Sequence, residues 1–305
     1  MTELIIPLLA ATVQSGTPVL FATLGEMFTE KGGVLNLGVE GMLSVAALAA
    51  FLTAYLTGSP WLGFLVGGAA GACMALLHAV VCISFLGNQV VSGLALTIFG
   101  LGLTKFLGTP YIGQTAPGFS KFAFPVLSSI PYIGDIFFRQ DALVYVSFIV
   151  PFIFWFFFRR TSLGMAVTAT GEYPQAAAAA GLKPMLLRYF AVCTGGFLVG
   201  LGGGYLSLAY THLWTNGLSG GRGWIAVALV IFAFWRPGRA VIGAYLFGGV
   251  MAFQLRLQAS GTNLPSSLLL MLPYALTIIV LVLSAFRGRG TEAPAALGTN
   301  IEPEG

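Results

Sequence analysis

Residues 159–188 read RRTSLGMAVTATGEYPQAAAAAGLKPMLLR, a polar interruption with basic charge at both ends and strongly apolar sequence on either side. Inside it lies a small helix with its own punctuation. Glu172 precedes Pro174, whose missing N–H suits a first helical position, and a carboxylate at that end complements the helix dipole. Ala176, Ala177, Ala178, Ala179 and Ala180 are the strongest helix formers, and Gly181 followed by Pro184 stops the run. At 1.5 Å per residue this is a rod roughly 10 Å long. Its methyl surface is narrow and smooth, which suits a groove on another protein. An ordinary inter-helix loop with one helical turn fits the same residues.

The surroundings of this stretch decide the fold class. Of 305 residues 57% are hydrophobic and 8% charged, with mean hydropathy +0.90, whereas soluble domains carry about 25% charged residues. The chain is therefore read as an all-α, polytopic integral membrane bundle. Apolar windows of roughly 17–25 residues fall near 4–24, 34–57, 61–86, 88–108, 142–158, 186–209, 223–236, 238–258 and 266–286, about nine spans. The 223–236 window is short for a crossing and is expected to be tilted or broken. No alternating barrel pattern appears, so helices are the only option. Glu3, in place of a basic n-region, argues against a signal peptide, and 4–24 is read as a first span interrupted by Gln14, Ser15, Thr17 and Pro18.

Lysine and arginine set the orientation. A cytoplasmic 159–188 loop places Lys31, Arg159, Arg160, Lys183, Arg188, Arg236, Arg239, Arg287 and Arg289 inside. Lys105, Lys121, Arg139, Arg222 and Arg256 then fall outside or near outer ends, which obeys the positive-inside rule. The transmembrane domain covers 1–290, with 109–141 as the main external segment. Residues 291–305, rich in Glu, Pro and Gly, are expected to be a disordered cytoplasmic tail.

An internal repeat is visible. GFLVG at 63–67 recurs at 196–200, and ALTIF at 95–99 matches ALVIF at 228–232 at the same offset. The glycines Gly63, Gly67 and Gly71 align with Gly196, Gly200 and Gly204. With an odd number of spans between them the copies would run in opposite directions, as in inverted-repeat transporters; chance in a chain built from so few residue types is the other reading. Either way the ladders read as small-xxx-small faces for close helix approach.

Few residues offer chemistry. Glu40 is a carboxylate inside the second span, with Asn36 four residues earlier on the same helical face. An ionisable group at that depth is a functional candidate; the plainer reading is a hydrogen-bonded tie to a neighbouring helix. Asn88, Gln89 and Ser92 open the fourth span and either contact a polar solute or cap the helix, capping being the preferred reading of Asn88. His78 reads as a core histidine, and Cys73, Cys82 and Cys193 as small buried hydrophobes. Gly217-Leu218-Ser219-Gly220 spells the G-x-S-G of rhomboid proteases, but His78 and His212 both precede Ser219, whereas the rhomboid histidine follows. No Walker motif, metal-ligand cluster or dinucleotide fingerprint is present, so neither metal nor cofactor is expected.

Thr29–Met42, TEKGGVLNLGVEGM, closely resembles the ERSGVINIGLEGMM signature of nucleoside-type ABC importer permeases, within the ribose and branched-chain amino acid permease superfamily. NQVVSGL at 88–94 is similar to its NEVVSGL element, and Gly171-Glu172-Tyr173-Pro174 with the alanines and Gly181 to its GENPxAAxxAGI segment. GRGWIA at 221–226 completes the set, in family order over nearly all of 10–290. Gln175 and Gln89 depart from the usual Arg and Glu.

The resemblance implies a coupling helix over 171–183, with Glu172, Pro174, Ala176, Ala177, Ala178, Ala179 and Gly181 docking on a cytoplasmic ABC ATPase. It also implies a second permease subunit, an extracytoplasmic binding protein and a multi-pass place in the bacterial plasma membrane. Asn36, Glu40, Asn88, Gln89 and Ser92 are the candidate substrate pathway. The expected function is import of nucleosides or a related small polar solute such as a simple sugar, without hydrolysis by this chain and without a nucleic-acid partner. The alternative is a proton-coupled secondary transporter using Glu40.

Overall fold

A computed structural model describes residues 2–261, 265–286 and 293–301. Twelve α-helices follow one another in this part of the chain: α1 (Thr2–Lys31), α2 (Val39–Thr57), α3 (Pro60–Ala79), α4 (Gln89–Gly108), α5 (Ile133–Phe137), α6 (Ala142–Arg160), α7 (Ser162–Glu172), α8 (Pro174–Ala179), α9 (Pro184–Tyr205), α10 (Arg222–Ala233), α11 (Pro237–Ala259) and α12 (Ser266–Phe286). Among the described residues seven helices are long and apolar enough to cross a membrane, and Arg222–Ala233 and Ser266–Val280 are shorter apolar helices. The chain is a polytopic helical membrane protein.

Local chemistry explains most boundaries. Ser59 accepts from the Leu62 amide at 3.3 Å ahead of Pro60, and Asn88 accepts from the Val91 amide at 3.0 Å, the capping role expected of it. Asp141 takes the Leu143 and Val144 amides at the start of α6. Burial pushes the Asp141 carboxyl up, while those two amides pull it back. Pro174, Pro184 and Pro237 each stand in the first turn of a helix.

The first span runs past residue 24 as one 30-residue helix, about 45 Å long. Its polar residues do not interrupt it because each finds a partner. Thr12, Thr17 and Thr23 donate to carbonyls four residues back, Gln14 donates to Gln140 at 2.8 Å, and Ser15 pairs with the Tyr210 hydroxyl at 3.2 Å. The second span, in contrast, starts at Val39 rather than 34, because the chain after α1 is unwound from Gly32 to Gly38.

Helix α1 packs against α9, α10 and α11, and α3 lies along α9 and α2. The two GFLVG helices meet directly and antiparallel: a methyl group on Gly71 would come within 2.6 Å of the Gly200 Cα, and one on Gly67 within 3.4 Å of the Gly204 Cα. Each ends in a π turn, Val80–Ser84 and Leu206–Tyr210. Segment 109–141 holds α5 and the two-residue antiparallel pair β1 (Phe122–Ala123) and β2 (Arg139–Gln140). It lies on the end of the 208–214 segment, with the Gly113, Ala116 and Phe119 amides donating to Trp214, His212 and Leu208.

Three expectations are corrected. Of the cysteines only Cys82 is buried; Cys193 is half-buried and Cys73 is exposed on the outside of α3, where a small apolar side chain suits lipid as well as core. Segment 162–172 is a helix, opened by the Thr161 hydroxyl accepting from the Gly164 amide at 3.0 Å. Residues 293–301 of the tail are docked rather than loose, held through backbone groups of 295–299 and the Asn300 side chain. Arg287, Arg289, residues 291–292 and 302–305 lie outside the described residues.

Candidate functional site

The unwound stretch after α1 turns back into the bundle. Gly33, at φ +86°, makes the turn. The Leu37 carbonyl then accepts from Thr97 at 2.9 Å, and Thr97 is eight residues, about 12 Å, into α4. Glu40, in the first turn of α2, is consequently deep and 5% exposed.

Both Glu40 oxygens accept. Oε1 takes the Ser219 hydroxyl at 2.6 Å and the Gly221 amide at 2.8 Å, and Oε2 takes the Gly223 amide at 2.7 Å. Gly221 is the N-cap of α10, in the left-handed region, and supplies no side-chain cap. Glu40 supplies one from 181 residues away, with its two carboxyl oxygens at the positive end of the helix dipole. At 12 residues α10 is about 18 Å long, short of the roughly 30 Å bilayer core. It is a half-helix that begins deep in the bundle.

The far end of α10 is also tied to the first 40 residues. Phe234 and Trp235 both have positive φ, and the Trp235 indole N–H donates to Glu30 Oε2 at 2.6 Å. One turn back on α1, Glu26 Oε1 accepts from the Asn36 amide at 3.0 Å, while its Oε2 has no partner among the described residues. Glu26 escapes the sequence reading because the first apolar window closes at residue 24, while Glu30, inside the Thr29–Met42 motif, and Trp235, inside the 223–236 window, are not singled out there. Two carboxylates spaced i, i+4 beside an apolar span are the available signal.

The pathway candidates separate into different arrangements. Asn36 is not on a helical face with Glu40: it lies in the unwound stretch, where its side chain accepts from the Gly38 amide at 2.8 Å and contacts Met42 Sδ. Gln89 accepts from the Leu35 amide at 2.7 Å. Ser92 pairs with His78 Nδ1 at 2.9 Å, and His78 Nε2 meets the Leu35 carbonyl at 3.0 Å. Asn88 and Ser92 border a largely apolar cavity of about 530 Å³ between α3 and α4, with His78 on its wall. Arg222, grouped above with outer-end cations, is the first residue of α10, level with Glu40. Ser219 bonds Ser44 and Glu40, while His212 bonds the Phe119 carbonyl, so neither histidine is joined to that serine. Among the described residues no three His, Cys, Asp or Glu side chains group as a metal site.

At the opposite end of the bundle α8 forms the rod. Pro174 and Ala177 are buried against the chain itself, whereas Gln175, Ala176, Ala179 and Ala180 face outward. The Gly181 and Leu182 amides return to the Ala178 and Ala177 carbonyls, and Gly181 takes φ +83°.

The tail fastens this end. The Ala295 amide donates to Glu172 Oε2 at 3.1 Å and the Ala296 amide to the Gly171 carbonyl at 2.9 Å. Arg188, 2% exposed, donates to the Thr299 carbonyl at 2.7 Å and the Ala296 carbonyl at 3.4 Å. Asn300 donates to the Leu86 carbonyl at 2.6 Å, and Gln89 Nε2 reaches Thr299 and Asn300. One short strap thus joins α7, α9 and the start of α4.

A family model described as branched-chain amino acid transport system / permease component matches residues 8–281. The chain is 48% identical over 256 residues, 83% of itself and 78% of the relative, to a putative glucose ABC transporter permease protein, TsgC13, of Haloferax volcanii. It is 34% identical to the guanosine ABC transporter permease protein NupQ of Bacillus subtilis, with 94% of each chain covered. To the nucleoside ABC transporter permease protein NupC of Lactococcus lactis it is also 34% identical, over 93% of each.

Proposed function

Because the chain belongs to the branched-chain amino acid transport system / permease component family, and is an ABC-transporter permease, we propose that it imports a solute built on a sugar ring, a nucleoside or a simple sugar. The names of the relatives support that class: glucose, guanosine and nucleosides all present a hydroxylated ring. Permease subunits of this family are not catalytic, and ATP hydrolysis lies on another subunit.

The observation that carries the coupling role is α8, whose outward face is only Gln175, Ala176, Ala179 and Ala180. It offers a partner a smooth ridge, while Pro174 and Ala177 root the ridge in the chain. Glu172 and Gly181 bound it, and Ala178 sits half-buried between the two faces. The partners are a cytoplasmic ABC ATPase on that ridge, a second permease in the membrane and an extracytoplasmic binding protein. The place is the bacterial inner membrane, with 159–188 on the cytoplasmic side. Asn88 and Ser92, on the α3–α4 cavity, and Asn36, Glu40 and Gln89 behind it line or support the route.

The test is reconstitution. The chain, its neighbouring ATPase, second permease and binding protein are placed in vesicles and offered labelled guanosine or glucose. ATP-dependent uptake is the expected result. Uptake that ignores ATP and follows a proton gradient would overturn it in favour of the proton-coupled reading.

A further inference from the structure

A second polar region lies away from the α3–α4 cavity, between α1, α10, α11 and α12. It consists of two cavities in series. The outer, about 330 Å³, is lined by Gln14, Ser15, Tyr210 and Leu255, among others. The inner, about 410 Å³, is lined by Arg222, Gln254, Tyr274 and the same Leu255. The Arg222 guanidinium stacks over the Tyr210 ring at 5.3 Å and so stands between the two.

The inner cavity holds polar groups without partners. Arg222 Nη1 is anchored to the Leu218 and Ser219 carbonyls at 3.3 and 3.1 Å, but its Nε is buried with no hydrogen bond. Gln254 is 6% exposed and makes no hydrogen bond among the described residues, although it lines the cavity. Leaving such groups unpaired in a membrane interior is costly, and they are fixed by a scaffold, since Arg222 opens the half-helix that Glu40 caps. The Tyr274 side chain adds a hydroxyl and an aromatic face, with its hydroxyl packed against Gly221.

From this arrangement we infer that the inner cavity is a solute subsite for the sugar ring of the substrate, entered from the outer cavity past the Arg222–Tyr210 pair. Arg222 Nη2, which carries no hydrogen bond among the described residues and is not sealed off as Nε is, donates to a ring hydroxyl, and the Gln254 amide both donates and accepts, which matches a hydroxyl's dual character. Tyr274 offers its face to the C–H side of the ring. No carboxylate lines either cavity among the described residues, so a cationic solute finds no counter-charge. The volume falls within the usual range for small-molecule sites, roughly 300–1,000 Å³. The inference rests on the importer reading above.

The experiment uses the complete reconstituted transporter with guanosine and glucose as separate probes. Gln254→Leu keeps the size of the side chain and removes its hydrogen bonding; Arg222→Lys keeps charge and removes the guanidinium fork with its Nη2 donor. Each is expected to raise KM for uptake about tenfold, the effect of one lost hydrogen bond to substrate. As an independent readout, Gln254→Cys in a background lacking Cys73, Cys82 and Cys193 is expected to react more slowly with N-ethylmaleimide when the probe is present during turnover. Unchanged KM in both hydrogen-bonding variants, or labelling of the Gln254→Cys protein that ignores both probes, would leave a water-filled cavity and overturn the subsite. Absence of ATP-dependent uptake in the unaltered transporter would instead overturn the function proposed above.

Discussion

Glu40 Oε2 and the Gly223 amide meet at 2.7 Å although 183 positions separate them in sequence. With Ser219 and Gly221 on the other oxygen, the carboxylate receives three donors and offers none. A glutamine cannot reproduce this, because one end of its amide is itself a donor and would face an N–H. Glu40→Gln is therefore expected to lose about 2–3 kcal/mol of stability, the cost of one unsatisfied buried donor plus weaker bonds to the rest. Thermal unfolding in detergent measures it. A Glu40→Gln protein of unaltered Tm that has lost uptake would point to proton coupling instead.

The exposed and buried sides of α8 make opposite predictions. Ala176→Glu and Ala179→Glu are expected to insert normally, since the helix-propensity cost is a few tenths of a kcal/mol, yet to lose the ATPase on co-purification, because an unpaired charge at an interface is strongly unfavourable. Ala177→Glu, pointing into the chain, should lower expression or Tm first. Retention of the ATPase by both exposed-face variants would remove the docking role.

Topology is tested by cysteine labelling at well-exposed positions. Gln175 and Val126 are exposed and are replaced by cysteine. In a background without the three native cysteines they should react with an impermeant maleimide from the cytoplasmic and external sides respectively. Labelling of both from one side would refute the orientation.

The docked tail predicts thermodynamic coupling. Deleting 291–305 removes the carbonyls of Ala296 and Thr299 that Arg188 uses. Arg188→Ala and the deletion should each destabilise, and their combined effect should fall short of the sum by about 1–3 kcal/mol, as for residues in one hydrogen-bond network. Strict additivity in a double-mutant cycle would mean that Arg188 and the strap do not stabilise one another.

What the sequence discloses follows from range. Asn88, Pro174, Gly181 and Pro184 act on backbone within four residues, and their roles are legible. Glu40 is legible as an anomaly and as a hydrogen-bonded tie, but its partners sit in Ser219–Gly223, whose G-x-S-G and GRGWIA patterns do not disclose that their amides and hydroxyl meet an acid far back in the chain. Asn36 is misplaced by pattern because 34–38 is as apolar as the helix after it; the chain is unwound there by Gly33 and by bonds to Glu26 and Thr97, which no periodicity reveals. The tail misleads for a similar reason. Its contacts with Arg188, Gly171 and Glu172 run through backbone atoms, which any composition possesses.

The capped half-helix also bears on how the protein is made. Segment α10 is shorter than a bilayer crossing, and the residue that holds its start is synthesised 181 residues earlier. At roughly 5–20 residues per second, Glu40 waits on the order of 10–40 s for its donors. The acid of this contact is thus synthesised long before its donors, and the contact can close only once residues 219–223 have been made.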